Sequence, residues 1–334
     1  MTLAFVSATA PDLLRLVALP VFAWVAIRDI ETRRVSSGVW IPLALLGGVL
    51  LLWEAQLARA AGGQVWIDEF LVPAAISFGV VVPIAYTFWW FGGFGGADAK
   101  ALLVLALLFP TFPQYAVGSV TLPVTTTPIG SFSFTILTNA VLVAILIPIA
   151  LAVRNAVSGR LTPVMFIGWP VRWDDVPDHH GQLLETTAGV SRSGLDLDAL
   201  RMYLRWRGLT LEEIQEDPAT FRDPVTLPND PNPPSDGAVD AEVRTNGSLE
   251  VDPEAGLAAD SDHDDPWGAR IFLTDIDGSA YGTTPAELRE GLEVLADADT
   301  ETVWVSPGTP FLAPIFVGLV IAVLYGDLLI GTLL

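Results

Sequence analysis

Two aspartates carry the chemistry that this sequence offers. Asp29 closes a long apolar segment and Asp98 opens another. A carboxylate at the mouth of a membrane segment is costly to keep there, and by default it marks function. Two carboxylates at one membrane depth suit acid–base hydrolysis. The ionised one takes a proton from a shared water, and the protonated one gives a proton to the carbonyl oxygen or leaving nitrogen of an amide. Two close carboxylates do not both ionise easily, so their protonation steps belong to the pair. Chemistry of this kind calls for no metal and no cofactor. Asp98 stands in the run Phe91-Gly92-Gly93-Phe94-Gly95-Gly96-Ala97-Asp98-Ala99-Lys100. Glycine permits tight turns and close backbone approach, so a substrate chain can lie against this loop. Taken singly, each aspartate also has a plain structural explanation. Asp98 suits a helix N-cap, and Asp29 suits a partner for Arg28, Arg33 or Arg34. The pair at one depth, beside a glycine loop, favours function.

The elements that must position these residues are membrane helices. The chain has 334 residues, is 51% hydrophobic and has a mean hydropathy of +0.50, too apolar for an ordinary soluble protein. A helix needs about 20 mostly apolar residues to cross a bilayer. Six segments are expected to do so: Pro11 to Ile27, Val39 to Leu57, Leu71 to Trp90, Lys100 to Val117, Phe134 to Val153, and Phe311 to Leu334. Pro20 is expected to kink the first, and Pro110 and Pro113 to bend the fourth. The first segment does not read as a cleavable signal peptide, because it lacks a basic lead and a small-residue cleavage site. The fold class is therefore an all-α polytopic membrane protein. About six transmembrane helices are expected, with an acidic insert, part mixed and part disordered, before the last. The domains follow as residues 1–154 for the membrane core, 155–308 for the acidic region and 309–334 for the last helix.

Arginine and lysine bias sets the orientation. Arg28, Arg33, Arg34, Lys100, Arg154 and Arg160 fall on one side of six spans, with Arg59 nearly alone on the other. The glycine loop and the acidic region are then cytoplasmic, both termini lie outside, and Asp29 and Asp98 share the cytoplasmic surface. Glu54, about 15 residues into the second span, lies roughly 22 Å from that surface. Asp327 is similarly remote, so both read as snorkelling or packing groups.

The net charge is −21, and Lys100 is the single lysine. Acid excess with little lysine suggests a salt-loving cell, where screening is nearly complete. No nucleic-acid partner is expected. The absence of cysteine excludes disulfides, cysteine nucleophiles and thiolate metal sites. Within the polar region, Leu195 to Ile214 has helical periodicity. Residues 217–266 are rich in Pro, Asp, Gly and Asn and read as a disordered linker. Thr284-Pro285-Ala286-Glu287 is a capping box. Asp178-His179-His180 and Asp275-Ile276-Asp277-Gly278 lack the remaining ligands of zinc and calcium sites. Asp260 to Asp265 reads as a solvated acidic run.

Asp29-x-x-x-Arg33-x-Val35-Ser36 resembles the first motif of the type IV prepilin and preflagellin peptidases, an aspartate followed by R-x-[IV]-[PS]. Gly95-Gly96-Ala97-Asp98-Ala99-Lys100 resembles their second motif, G-x-G-D-x-K. Trp304 to Phe311 and Gly326-Asp327 resemble the lead into the last span of archaeal members. The resemblance covers residues 11–154 and 302–334. It implies a polytopic aspartic endopeptidase of the GxGD type that cuts the short basic leader from pilin-like precursors at the cytoplasmic membrane face. By resemblance, Asp29 and Asp98 are the catalytic pair, with Arg33, Gly95, Gly96 and Lys100 as supporting motif residues. Its partners would be precursor pilins or archaellins and the lipid bilayer. Ala97 replaces the motif's second glycine, and Ser37 stands where many members have asparagine. No cysteine cluster is present, which argues for peptidase activity without methylation. The alternatives are an intramembrane aspartic protease of other substrates, or a non-enzymatic scaffold or transporter. A transporter would show paired broken helices in two related halves, and this chain has no such repeat.

Overall fold

Backbone crossing hydrocarbon must satisfy its own N–H and C=O groups, which a helix does. The computed structural model describes residues 2–3, 6–127, 130–191, 194–239, 265–276, 280–307 and 311–329. Among these, four helical stretches are long and apolar enough to cross a bilayer: Ala10–Thr32, Ser37–Ala61, Val65–Trp90 and Phe132–Val157. The chain divides into two units, Met1–Ile147 with Thr309–Leu334, and Pro148–Gly308.

In the first unit the opening stretch is two helices, α1 (Ala10–Arg15) and α2 (Ala18–Thr32). The break falls at Leu16 and Val17 because Pro20 has no N–H to offer Leu16 four residues back. Trp40–Ala61 forms α3 and Val65–Trp90 forms α4. α4 widens into π turns at Val65–Leu71 and Ser77–Val81, just before Pro73 and Pro83. Those turns absorb the hydrogen bonds the prolines cannot make. Gly96–Leu108 is α5, Phe132–Val157 is α6 and Leu312–Leu324 is the last apolar helix, α7.

Two of the six expected spans are shorter than expected. α5 and α7 have 13 residues each, about 20 Å at 1.5 Å per residue, against a hydrocarbon core of about 30 Å. The segment from Lys100 does not run to Val117 as a bent helix. It stops at Leu108, before Pro110, and Tyr115–Val117 (β3) turns back onto Val120–Leu122 (β4). Thr2–Leu3 (β1) and Val6–Ala8 (β2) complete an antiparallel sheet of order β1-β2-β3-β4, with Ala8 opposite Tyr115.

The core of this unit gathers around α5. Ala99, Ala101, Leu102, Val104, Leu105, Ala106 and Leu108 are all buried. α3 and α4 pack on α5, and α7 packs on α2. Gly47 lets α3 come close: a Cβ there would lie 3.2 Å from the backbone of Leu107 and Leu108. Ser77 ties α4 to α5, with its Oγ 2.7 Å from both the Ala106 carbonyl and Ser133 Oγ. Such hydrogen bonds join helices where no hydrophobic difference from lipid drives them together.

The second unit is mixed. Its sheet has the antiparallel strands Trp169–Arg172 and Gln182–Leu183 on either side of Thr302–Ser306. The expected helix from Leu195 to Ile214 is two, Leu197–Arg207 and Leu211–Glu216, divided at Gly208 with φ +73°. Tyr203, Trp206 and Phe272 form its aromatic centre, with ring centroids 5.3 to 6.3 Å apart. The capping box at Thr284 and Glu287 forms as expected.

Residues 217–239, inside the stretch expected to be linker, are folded. Arg207 donates to the Phe221 carbonyl and to Thr226 Oγ1, each at 2.6 Å. Arg201 donates to the Gly237 carbonyl at 2.6 Å, and Asn232 N–H to the Trp206 carbonyl at 2.9 Å. Buried guanidinium groups hold this polar segment through its backbone, which composition does not reveal. Residues 240–264 of that stretch lie outside the described residues.

Candidate active site

The buried residues of α2 are Ala18, Phe22, Val25, Ala26 and Asp29. Their spacing is that of one helical face, so the pattern that buries Phe22 also turns Asp29 toward the core. Asp29 is only 7% exposed. The helix ends one turn later. Arg33 adopts a left-handed conformation, φ +55°, and its N–H donates to the Asp29 carbonyl at 3.0 Å.

Asp98 is set by the glycine turn between α4 and α5. Gly92 takes φ +74°, and the N–H groups of Gly93 and Phe94 donate to the Phe88 carbonyl at 2.7 and 3.1 Å. Gly95 is the extended N-cap of α5. Asp98 is therefore not the N-cap; it lies in the first helical turn. Its Oδ2 reaches back to accept the Gly95 N–H at 3.0 Å. A Cβ on Gly95 would sit 3.2 Å from that oxygen, so a side chain there would press on the carboxylate. The backbone N–H of Leu312, in the first turn of α7, also donates to Asp98. The Asp29 carboxyl and the Arg33 guanidinium both act on Asp98 electrostatically.

The two aspartates named from the sequence thus lie near enough for the Asp29 charge to act on Asp98, although 2 helices separate them along the chain. Lys100, one turn along α5, extends to Ser37 and donates to its Oγ at 2.7 Å. Ser37, which departs from the motif's usual asparagine, anchors the lysine here. Ala97 lies within the first turn of α5, where alanine is the better helix former. Gly96 opens that helix with space around it, and a Cβ there would meet nothing within 4 Å. Sequence reasoning did not find the Leu312 N–H. A backbone donor leaves no mark on residue type; the nearest sign was the motif-like run ending at Phe311.

The remaining acidic groups have other partners. Glu54 Oε2 accepts from Arg15 at 2.5 Å and from Thr111 at 3.1 Å. Arg15 is 1% exposed and also donates to Asp12 and to the Leu108 carbonyl. This cluster lies at the far end of α5 from Asp98 and locks helices rather than facing the pair. Asp327 is buried and accepts from Thr135 and the Leu329 N–H. In the second unit, His180 Nδ1 lies 3.3 Å from Asp198, which pairs with Arg201. Asp275 accepts from Trp206 Nε1 at 2.6 Å, while Asp277 and Gly278 lie outside the described residues. Asp265 departs from the expected solvated run: it is 1% exposed and accepts the N–H groups of Arg270 and Ile271.

Two family profiles match the sequence. Residues 16–153 match the Type IV leader peptidase family. Residues 242–328 match the Archaeal Peptidase A24 C-terminus Type II. A preflagellin peptidase of Methanococcus voltae is 28% identical over 134 residues, which is 40% of this chain and 54% of that relative. The chain thus spans about half the length of the curated relative it matches. Both aspartates fall within the first match.

Proposed function

We propose that this chain, which belongs to the type IV leader peptidase family, is a membrane aspartic endopeptidase. It removes the short basic leader from type IV pilin-like precursors, prepilins or archaellins, at the cytoplasmic membrane face. The observation that carries this reading is that Asp29 and Asp98 lie at one end of the helical core, where the charge of one acts on the other, with Asp98 supported by backbone N–H groups from Gly95 and Leu312. In the reaction one carboxylate, ionised, draws a proton from a water between the pair. The other, protonated, donates to the amide. The water's oxygen bonds to the carbonyl carbon, and the C–N bond breaks as its nitrogen takes up a proton. Interacting carboxylates do not both ionise easily, and their protonation steps belong to the pair.

Positive charge supports the cytoplasmic orientation. Arg28, Arg33, Arg34 and Lys100 all belong to the end of the core that carries the two aspartates, as cytoplasmic loops tend to. A precursor's apolar helix would then lie in the bilayer, with its basic leader at the same surface.

The test is leader removal from a pilin or archaellin precursor co-expressed with this protein and followed on a gel. Asp29→Asn and Asp98→Asn each abolish processing while the protein remains in the membrane fraction. Normal processing by either variant removes that residue from the mechanism.

A further inference from the structure

We propose that Phe311 is a positioning residue for Asp98, acting through an aromatic stack that fixes the glycine turn. This rests on the peptidase reading above. Three rings lie in series. Phe88, near the end of α4, stacks on Phe94 of the turn at 5.0 Å and 28°. Phe94 in turn stacks on Phe311, just before α7, at 4.8 Å and 21°. Phe94 and Phe311 are partly buried against the first unit's core.

The stack touches Asp98 at two points, and both have the same form. Phe94 is followed by Gly95, whose N–H donates to Asp98 Oδ2 at 3.0 Å. Phe311 is followed by Leu312, whose N–H also donates to Asp98. Each ring is thus joined by one peptide bond to an amide that holds the carboxylate. Pressing the two rings together sets the spacing of the two amides, and so the direction in which the carboxyl faces Asp29. The turn's other ties are local backbone hydrogen bonds, such as those from the Gly93 and Phe94 N–H groups to the Phe88 carbonyl. The turn contains four glycines, and a Cβ on Gly93 would lie 3.1 Å from the Phe88 ring. A chain with so much backbone freedom needs an external constraint to hold one geometry, and a misplacement of about 1 Å near reacting groups can cost about a hundredfold.

A purely structural stack would affect how much folded protein is present. A positioning stack affects turnover by folded protein. The experiment is steady-state cleavage of a pilin-like precursor in membrane vesicles, with enzyme amount normalised by immunoblot. Phe311→Leu keeps apolar volume but removes the ring; kcat falls about tenfold and KM is unchanged, in line with the worth of an aromatic pair. Phe311→Tyr keeps the ring and restores at least half of wild-type kcat. The double variant Phe94→Leu, Phe311→Leu is no slower than the slower single one, because both act through one contact. If Phe311→Leu does not accumulate, Phe94→Leu tests the contact from the turn side, with a loss in kcat at least as large because Phe94 also stacks on Phe88.

Wild-type kcat in Phe311→Leu, a failure of Phe311→Tyr to recover, or multiplicative losses in the double variant would each overturn the assignment. A wild-type protein that leaves the precursor uncut would instead overturn the peptidase reading itself. The two failures are thus distinguishable within one set of vesicles.

Discussion

Lys100 Nζ donates a hydrogen bond to Ser37 Oγ at 2.7 Å, which ties the helix bearing Asp98 to the turn that follows the helix bearing Asp29. The link is solvent-exposed, and its effect is to keep the two acid-bearing elements in register. A solvent-exposed hydrogen bond contributes modestly, about 0.5–1.5 kcal/mol. Lys100→Ala is therefore expected to slow leader removal about two- to tenfold, a range that follows from that energy. Lys100→Arg should recover part of the rate. Unaltered cleavage by Lys100→Ala would mean that the α2 and α5 ends hold their spacing without it.

Arg15 tests the opposite end of the core. It is buried with Asp12 beside the partly buried Glu54, and it also donates to the Leu108 carbonyl and Thr111. Removing one partner of a buried ion pair leaves an uncompensated charge and costs about 3–5 kcal/mol. Arg15→Met is expected to lower unfolding stability in detergent by that order. The double variant Arg15→Met, Glu54→Gln should be less destabilised than Arg15→Met alone, since the second change removes a stranded carboxylate. Thermal unfolding midpoints for the three proteins decide this; a double variant worse than the single would contradict it.

A pH dependence is expected from the second unit. Asp196 caps the helix Leu197–Arg207, accepting from the Asp198 and Ala199 N–H groups. Burial, reinforced by the neighbouring Asp198 charge, pushes its carboxyl up to about 6. An unfolded aspartate titrates near about 4. The folded form therefore binds this proton more tightly than the unfolded form. The stability it contributes is full below about pH 4 and is lost as pH rises through about 6. Asp196→Asn keeps a capping acceptor and removes the titration, so its unfolding midpoint should vary less between those pH values. Glu185, raised by burial, retains part of the slope. An Asp196→Asn profile as steep as that of the wild type would rule this source out.

Much of the site was legible because charge inside apolar sequence is conspicuous. Asp29 falls on the same helical face as Phe22 and Val25, and Asp98 follows a glycine run at the start of an apolar helix. The segment after Leu108 was misjudged because its apolar content suits either a bent helix or a β-hairpin. Pro110 and Pro113 tip the balance toward the hairpin, and pairing with β2 completes it. Residues 217–239 were misjudged because their anchors are backbone carbonyls answering Arg201, Arg205 and Arg207. Local composition shows the prolines and acids of that stretch but not the distant guanidinium groups. The Leu312 donor was hidden for a related reason: any residue but proline supplies an N–H, and only the folded chain shows where it points.

Because the amide that steadies Asp98 belongs to α7, translation delivers both carboxylates well before it delivers that support. The ribosome must first make the whole of Pro148–Gly308. Until then the local backbone donor to Asp98 is the Gly95 N–H. The last helix therefore brings its donor to Asp98 only after that long unit has been made.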